Sequence, residues 1–176
     1  MFGVLALVLT PRGYAWSFDA EAGAFVDTGS TPCHDKVPPA IRLATVRPGA
    51  FRAAARGRFL AAADSPAASG GAVLRFRLSE PASVTFTVQR PAPGRRFRDT
   101  CLPARRRPSG SLGCTRWIAL SNPVTRRLAG GHNRLLLSGR LGGRRLTPGS
   151  YRLMTTLVDR AENLATPAPI GFRIVR

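Results

Sequence analysis

The sequence predicts an all-β chain, an antiparallel two-sheet sandwich with a small three-stranded meander ahead of it. Three observations carry this. Apolar and polar residues alternate with period two: Leu74, Phe76 and Leu78 with Arg75 and Arg77, Val84, Phe86 and Val88 with Ser83, Thr85 and Thr87, and Ile170, Phe172 and Ile174 with Gly171 and Arg173. Period two sets each apolar series on one sheet face. The runs are short and punctuated by Gly and Pro, and no helical period of useful length competes. A chain of 176 residues with 44% hydrophobic content holds one sandwich and a smaller appendage, not two large domains.

In chain order, residues 1–36 contain apolar Gly3 to Leu9, then Gly13 to Phe18 with Tyr14, Trp16 and Phe18 alternating, then Ala24 to Val26. Three strands in so short a stretch make a meander that cannot bury both faces alone and needs a partner surface. Residues 37–71 open with the stiff Val37-Pro38-Pro39 connection and hold first strands at Ile41 to Val46, Phe51 to Ala55 and Gly57 to Leu60; Ala61 to Gly71 reads as a loop. Residues 72–176 form the sandwich proper. There Glu80-Pro81 reads as the turn of a hairpin joining 72–79 to 83–89, and 90–114 as a long Arg- and Pro-rich excursion. Strands resume at Thr115 to Leu120, Arg134 to Ser138, Ser150 to Asp159 and Ala168 to Val175. The total is about seven, the number expected of an immunoglobulin-like sandwich.

Two stretches resemble known families. The run from Gly139 through Thr147-Pro148-Gly149-Ser150-Tyr151, with Asp159-Arg-Ala-Glu-Asn163 and the closing Phe172-Arg-Ile-Val, resembles the end of bacterial immunoglobulin-like or fibronectin-III-like modules of secreted actinobacterial proteins. Glu162 stands where such turns often carry Gly. Tyr151, two residues after the Pro148-Gly149 turn, is either a phenol tying strand start to loop or another half-buried aromatic. Residues 3–34, with Gly3-Val-Leu-Ala-Leu-Val-Leu-Thr-Pro, Tyr14-Ala-Trp-Ser-Phe, Ala22-Gly-Ala-Phe-Val-Asp27-Thr-Gly-Ser30 and Cys33-His34, resemble the last strands of the calcineurin-like metallophosphoesterase domain. That family's two-metal site comes from Asp-x-His, Gly-Asp, Gly-Asn-His and Gly-His-x-His elements upstream of such a tail, and this chain contains none of them. The resemblance therefore implies a C-terminal part whose catalytic N-terminal domain is a missing partner.

Of three cysteines, Cys101 and Cys114 flank a turn-rich interior, and a disulfide is the preferred reading; closing such a loop contributes about 3 kcal/mol by chain entropy. Two thiolates without a second Cys/His pair do not complete a tetrahedral metal site. Cys33 is left over, either paired in the missing portion or free. His34, between Cys33 and Asp35, and His132, in Gly130-Gly-His-Asn133, read as structural, the latter as a turn residue, because nucleophile, base and orienter must converge in space. No catalytic residue, metal ligand or cofactor is expected.

Basic residues outnumber acidic ones 27 to 9, for a net charge of +18, and all but Lys36 are Arg. Codon bias in a G+C-rich coding sequence is the larger cause, but the positive field is physical either way. The candidate anion-binding residues are Arg95, Arg96, Arg98, Arg105, Arg106 and Arg107 of one excursion, and Arg126, Arg127, Arg144 and Arg145, from other loops, are further candidates for the same end of the sandwich. Only Phe97 interleaves with them, so base stacking is poorly supplied, and no nucleic-acid-binding motif appears. The run Phe2 to Leu9 is too short for a membrane span and lacks the basic lead of a signal peptide. The cysteines and the resemblance point to a secreted or cell-surface setting. The expected function is a non-catalytic accessory or binding module. The alternative is an Arg-rich module binding polyanions such as cell-wall polymers or nucleic acid, weakly and with strong salt dependence. Hydrolysis belongs only to a longer parent chain.

Overall fold

A computed structural model describes residues 2–10, 13–32, 35–62, 70–103, 112–120 and 122–176. The chain divides into two units, Met1–Val37 and Pro38–Arg176, and no helix occurs among the described residues.

The first unit is an antiparallel meander of β1 (Gly3–Thr10), β2 (Gly13–Ala20) and β3 (Val26–Pro32), in that spatial order. Register sets Leu5 opposite Phe18, Leu7 opposite Trp16 and Leu9 opposite Tyr14, so three leucines and three aromatics share one face. Trp16 lies opposite Gly29, whose missing side chain leaves room for the indole. The third strand starts where the sequence reading ends it, because Asp27-Thr-Gly-Ser-Thr31 lacks apolar alternation and leaves no period-two signal. β1 is exposed along its whole length, with Leu7 56% and Leu9 78% accessible.

In the second unit, β4 (Ile41–Arg47), β5 (Ala50–Arg52) and β6 (Leu60–Ala62) come from the stretch preceding residue 72 and pair within the sandwich. They are followed by β7 (Ala72–Leu78), β8 (Ala82–Phe97), β9 (Thr100–Pro103), β10 (Gly113–Ala119), β11 (Val124–Leu128), β12 (Gly131–Leu137), β13 (Arg140–Leu141), β14 (Arg144–Arg145), β15 (Gly149–Val158), β16 (Leu164–Ala165) and β17 (Ile170–Val175). Seven of these, β4, β7, β8, β10, β12, β15 and β17, are six residues or longer. One sheet runs β4-β7-β12-β6; the other runs β10-β8-β15-β17-β5, with β9 and β11 also paired to β8 and β16 to β15. Pairing is antiparallel except between β17 and β5. β13 and β14 form a separate small hairpin.

The core lies between the two sheets. β7 and β8 bury alternate residues: Leu74, Phe76 and Leu78 from one sheet face Val84, Phe86 and Val88 from the other, and Phe76 meets Phe86 edge-on with centroids 6.3 Å apart. Leu135 and Leu137 of β12, Tyr151, Leu153 and Leu157 of β15, and Phe172 and Ile174 of β17 join it.

Glu80-Pro81 is therefore not a hairpin turn. β7 pairs with β4 and β12, β8 with β10, β11, β9 and β15, and the chain crosses from one sheet to the other at this point. A strand that changes sheets keeps the same alternation as one that turns back, which is why the pattern alone favoured the hairpin. The 90–114 excursion is also corrected: β8 continues unbroken to Phe97, β9 returns along one edge and β10 along the other. Pro91 and Pro93 conceal this arm in the sequence.

Candidate functional site

At the arm, β8 is the middle strand. Cys101 on β9 lies opposite Arg96, Cys114 on β10 lies opposite Gly94, and the two sulfurs are bonded, with Cα atoms 6.0 Å apart. The crosslink passes over Gly94, where a Cβ would sit 2.5 Å from Cys101 Sγ and 2.8 Å from the Leu102 carbonyl oxygen. Both expected cysteines are thus brought together, and the signal that locates their crossing point is the glycine between them. A disulfide is common in extracellular proteins.

The described candidate arginines of the arm do not converge. Arg95 and Arg96 are successive strand residues and so point to opposite faces. Arg98 sits at the tip with φ of 50° and its guanidinium 5.7 Å from the Phe97 ring centroid. Arg105, Arg106 and Arg107 lie outside the described residues, as do Cys33 and His34. Arg126 donates to the Leu60 carbonyl at 3.0 Å, and Arg140 to the carbonyls of Ala55 and Gly143. Trp117 supplies an aromatic beside an arginine that the sequence run did not reveal. Arg152 lies 4.4 Å over its ring and donates from Nε to Gln89 Oε1 at 2.6 Å, so the indole face is already taken by a cation.

Structural anchoring surrounds the Thr147-Pro148-Gly149 turn. Gly149 opens β15, and Tyr151, 5% exposed, donates its hydroxyl to the Thr147 carbonyl at 2.8 Å while its ring stacks on Phe172 at 5.6 Å. The phenol thus ties strand start to loop.

A second polar knot closes the turn from Asp159 to Asn163. The Asn163 backbone N–H donates to Asp159 Oδ1 and its amide to Oδ2, both at 2.9 Å. Glu162, where the resembled modules often carry Gly, takes the left-handed φ of 67°. Burial pushes the Asp159 carboxyl up, but hydrogen bonds from the Asn163 side chain and from the backbone of Asn163 and Ala161 favour the ionised form. Together they hold the carboxyl below its ordinary range. A carboxyl depressed on folding adds stability that is present above its unfolded pKa and is lost as pH falls through the folded one. The melting-temperature gap between the wild type and Asp159→Ala is therefore expected at neutral pH and should close on acidification below the ordinary carboxylate range. A gap that widens in acid would contradict this.

The arginines that do converge lie on the outer face of the four-stranded sheet. Register places Arg42, Arg77 and His132 side by side on β4, β7 and β12. Thr45, Arg75 and Arg134 form the next row, and Arg47 begins a third with Val73 and Leu136. All five arginines and His132 are exposed. None of the four strands carries an acidic residue. His132 is a strand residue here, not the turn residue its glycine neighbours suggest. Leu43, at a bulge with φ of 53°, edges a hollow of about 250 Å³ lined also by Arg75, Arg77, His132 and Arg134.

His132, the one histidine among the described residues, stands opposite Arg77 on a strand without carboxylates, whereas paired ions need several carboxylate and imidazole ligands. No helix among the described residues is long and apolar enough to cross a membrane. In comparisons with known proteins, no family model, curated protein sequence or solved structure matches the chain.

Proposed function

We propose that the chain is a non-catalytic accessory module of a secreted or cell-surface protein, its immunoglobulin-like sandwich following the terminal strands of a metallophosphoesterase domain. The observation that carries this reading is the first unit. Its β1 exposes Val4 and Val8 on one face and Leu5, Leu7 and Leu9 on the other. Such a strand suits a sheet whose remaining layers lie in a larger domain, because three strands alone are marginal in water. The resemblance of residues 3–34 to the end of the phosphoesterase domain supports the same parentage, and the disulfide supports an oxidising compartment.

The test is enzymatic and genetic together. Highly purified chain is expected to hydrolyse no aryl phosphate with or without divalent metal, and the reading frame upstream of Met1 is expected to encode Asp-x-His and Gly-His-x-His elements. Metal-dependent turnover abolished by changing His34 would overturn the non-catalytic reading. A stop codon directly upstream would overturn the parentage.

A second reading, polyanion binding, is favoured by the rows of arginine on β4, β7 and β12.

A further inference from the structure

The geometry points to the outer face of the four-stranded sheet as a binding site for a linear phosphodiester polymer, gripped through its phosphates and not through stacked bases. This rests on the second reading, polyanion binding, and adds to it the class of polymer and the mode of its recognition.

The starting observation is a cost. Like charges directly opposite on neighbouring strands destabilise a sheet, yet Arg42 faces Arg77 and Arg75 faces Arg134, with His132 extending the first row. No ion-pair partner relieves them from within their own strands, which are free of Asp and Glu. An anion laid across the face relieves all of these repulsions at once.

The anion's chemistry follows from the side chains. Guanidinium is planar, permanently charged and matched to two oxygens of a phosphate. Strands lie about 4.8 Å apart and successive outward residues about 6.7 Å apart along a strand. The cations thus form a grid that suits a chain of repeated charges better than a single ion. The hollow of about 250 Å³ beside Arg75 and Arg77 is smaller than the roughly 300–1,000 Å³ of sites for drug-sized ligands. It admits a phosphate and a short linker. Outward positions on these strands are Arg, Thr, Val, His and Leu, with no Phe, Tyr or Trp among them. Stacking, the main source of affinity for unpaired bases, is therefore not provided.

The experiment measures binding of the full chain to fluorescently labelled poly(glycerol phosphate) and to an oligo-dT of equal phosphate number, across a salt series. Arg75→Thr/Arg134→Thr removes one opposed pair with a strand-forming residue. A charge-matched control, Arg56→Ser/Arg58→Ser, changes exposed positions between β5 and β6. The sheet variant is expected to bind poly(glycerol phosphate) at least tenfold more weakly, with a salt slope shallower by about 1.4 for two lost phosphate contacts. Its melting temperature should be unchanged or raised, and the control should stay within threefold of wild type. Equal losses in both variants would reduce the effect to net charge and overturn the site. Oligo-dT binding tenfold tighter than poly(glycerol phosphate) would overturn the ligand class. Should the sheet variant fail to fold, amide NMR of the wild type titrated with poly(glycerol phosphate) decides: shifts confined to 41–47, 72–78 and 131–137 support the site, and shifts elsewhere overturn it. None of these outcomes depends on the phosphoesterase parentage, so the two readings fail separately.

Discussion

Replacing Phe86 by Ala is expected to cost about 3–5 kcal/mol of unfolding free energy, the range for deleting a buried aromatic ring. Phe86 is 1% exposed in the first half of β8, between Thr155 of β15 and Val124 of β11 in register. Its ring meets Phe76 across the sandwich. The void therefore opens between two sheets held apart by their remaining side chains, which limits collapse. At roughly 2–4 °C per kcal/mol for a protein of this size, the melting temperature should fall by about 6–20 °C. Phe97→Ala is the matched comparison, because that ring is 55% exposed near the arm's tip and should change stability by less than about 0.5 kcal/mol. Thermal melts of the two variants check both values. A loss below about 1 kcal/mol at Phe86 would mean that the two sheets do not meet at this ring.

Much of that core is legible in the sequence because a half-buried strand must carry an apolar residue at every second position. Leu74-Arg-Phe-Arg-Leu78 and Val84-Thr-Phe-Thr-Val88 announce both their strand state and their inward faces. The partner of each strand is not legible. Alternation is identical whether Glu80-Pro81 turns within one sheet or crosses to the next, and only the long-range pairing of β7 with β12 and of β8 with β15 distinguishes the two. The arm is hidden for another reason: beyond Val88 few residues are buried, so Arg90-Pro-Ala-Pro-Gly94 carries no apolar period although its backbone continues the ladder. The same logic governs the cationic surface. The conspicuous run of arginines from 95 to 107 contains neighbours that diverge to opposite faces. Arg42, Arg75, Arg77 and Arg134 are scattered in the chain and adjoin only through register. Local sequence shows charge density, and a sheet assembles charge from distant segments.

Reduction of the Cys101–Cys114 bond is expected to loosen the arm and spare the core. The loop closed by the crosslink spans a sequence separation of 13, and chain entropy assigns such a closure about 3 kcal/mol. That stabilisation acts where the loop lies. β9 flanks β8 over Gly94 to Phe97 and β10 flanks it over Gln89 to Arg95, and none of the described residues from 89 to 119 belongs to the buried apolar cluster. Once reduced, β9 retains only its four-residue pairing with β8. Amide exchange in 94–97, 100–103 and 113–116 should accelerate by about 100-fold, the equivalent of roughly 3 kcal/mol, while 72–78 and 149–158 keep their protection. Uniform acceleration across arm and core would show that the crosslink stabilises the whole sandwich, and no change would show that the ladder alone holds the arm. Gly94→Val separates the bond from the strand pairing. Its side chain would occupy the space of Cys101 Sγ and the Leu102 carbonyl, so the variant should oxidise more slowly and exchange like the reduced wild type. A valine variant that forms the disulfide at the wild-type rate would mean that the crosslink does not pass over residue 94, because a branched side chain and a sulfur cannot share that position.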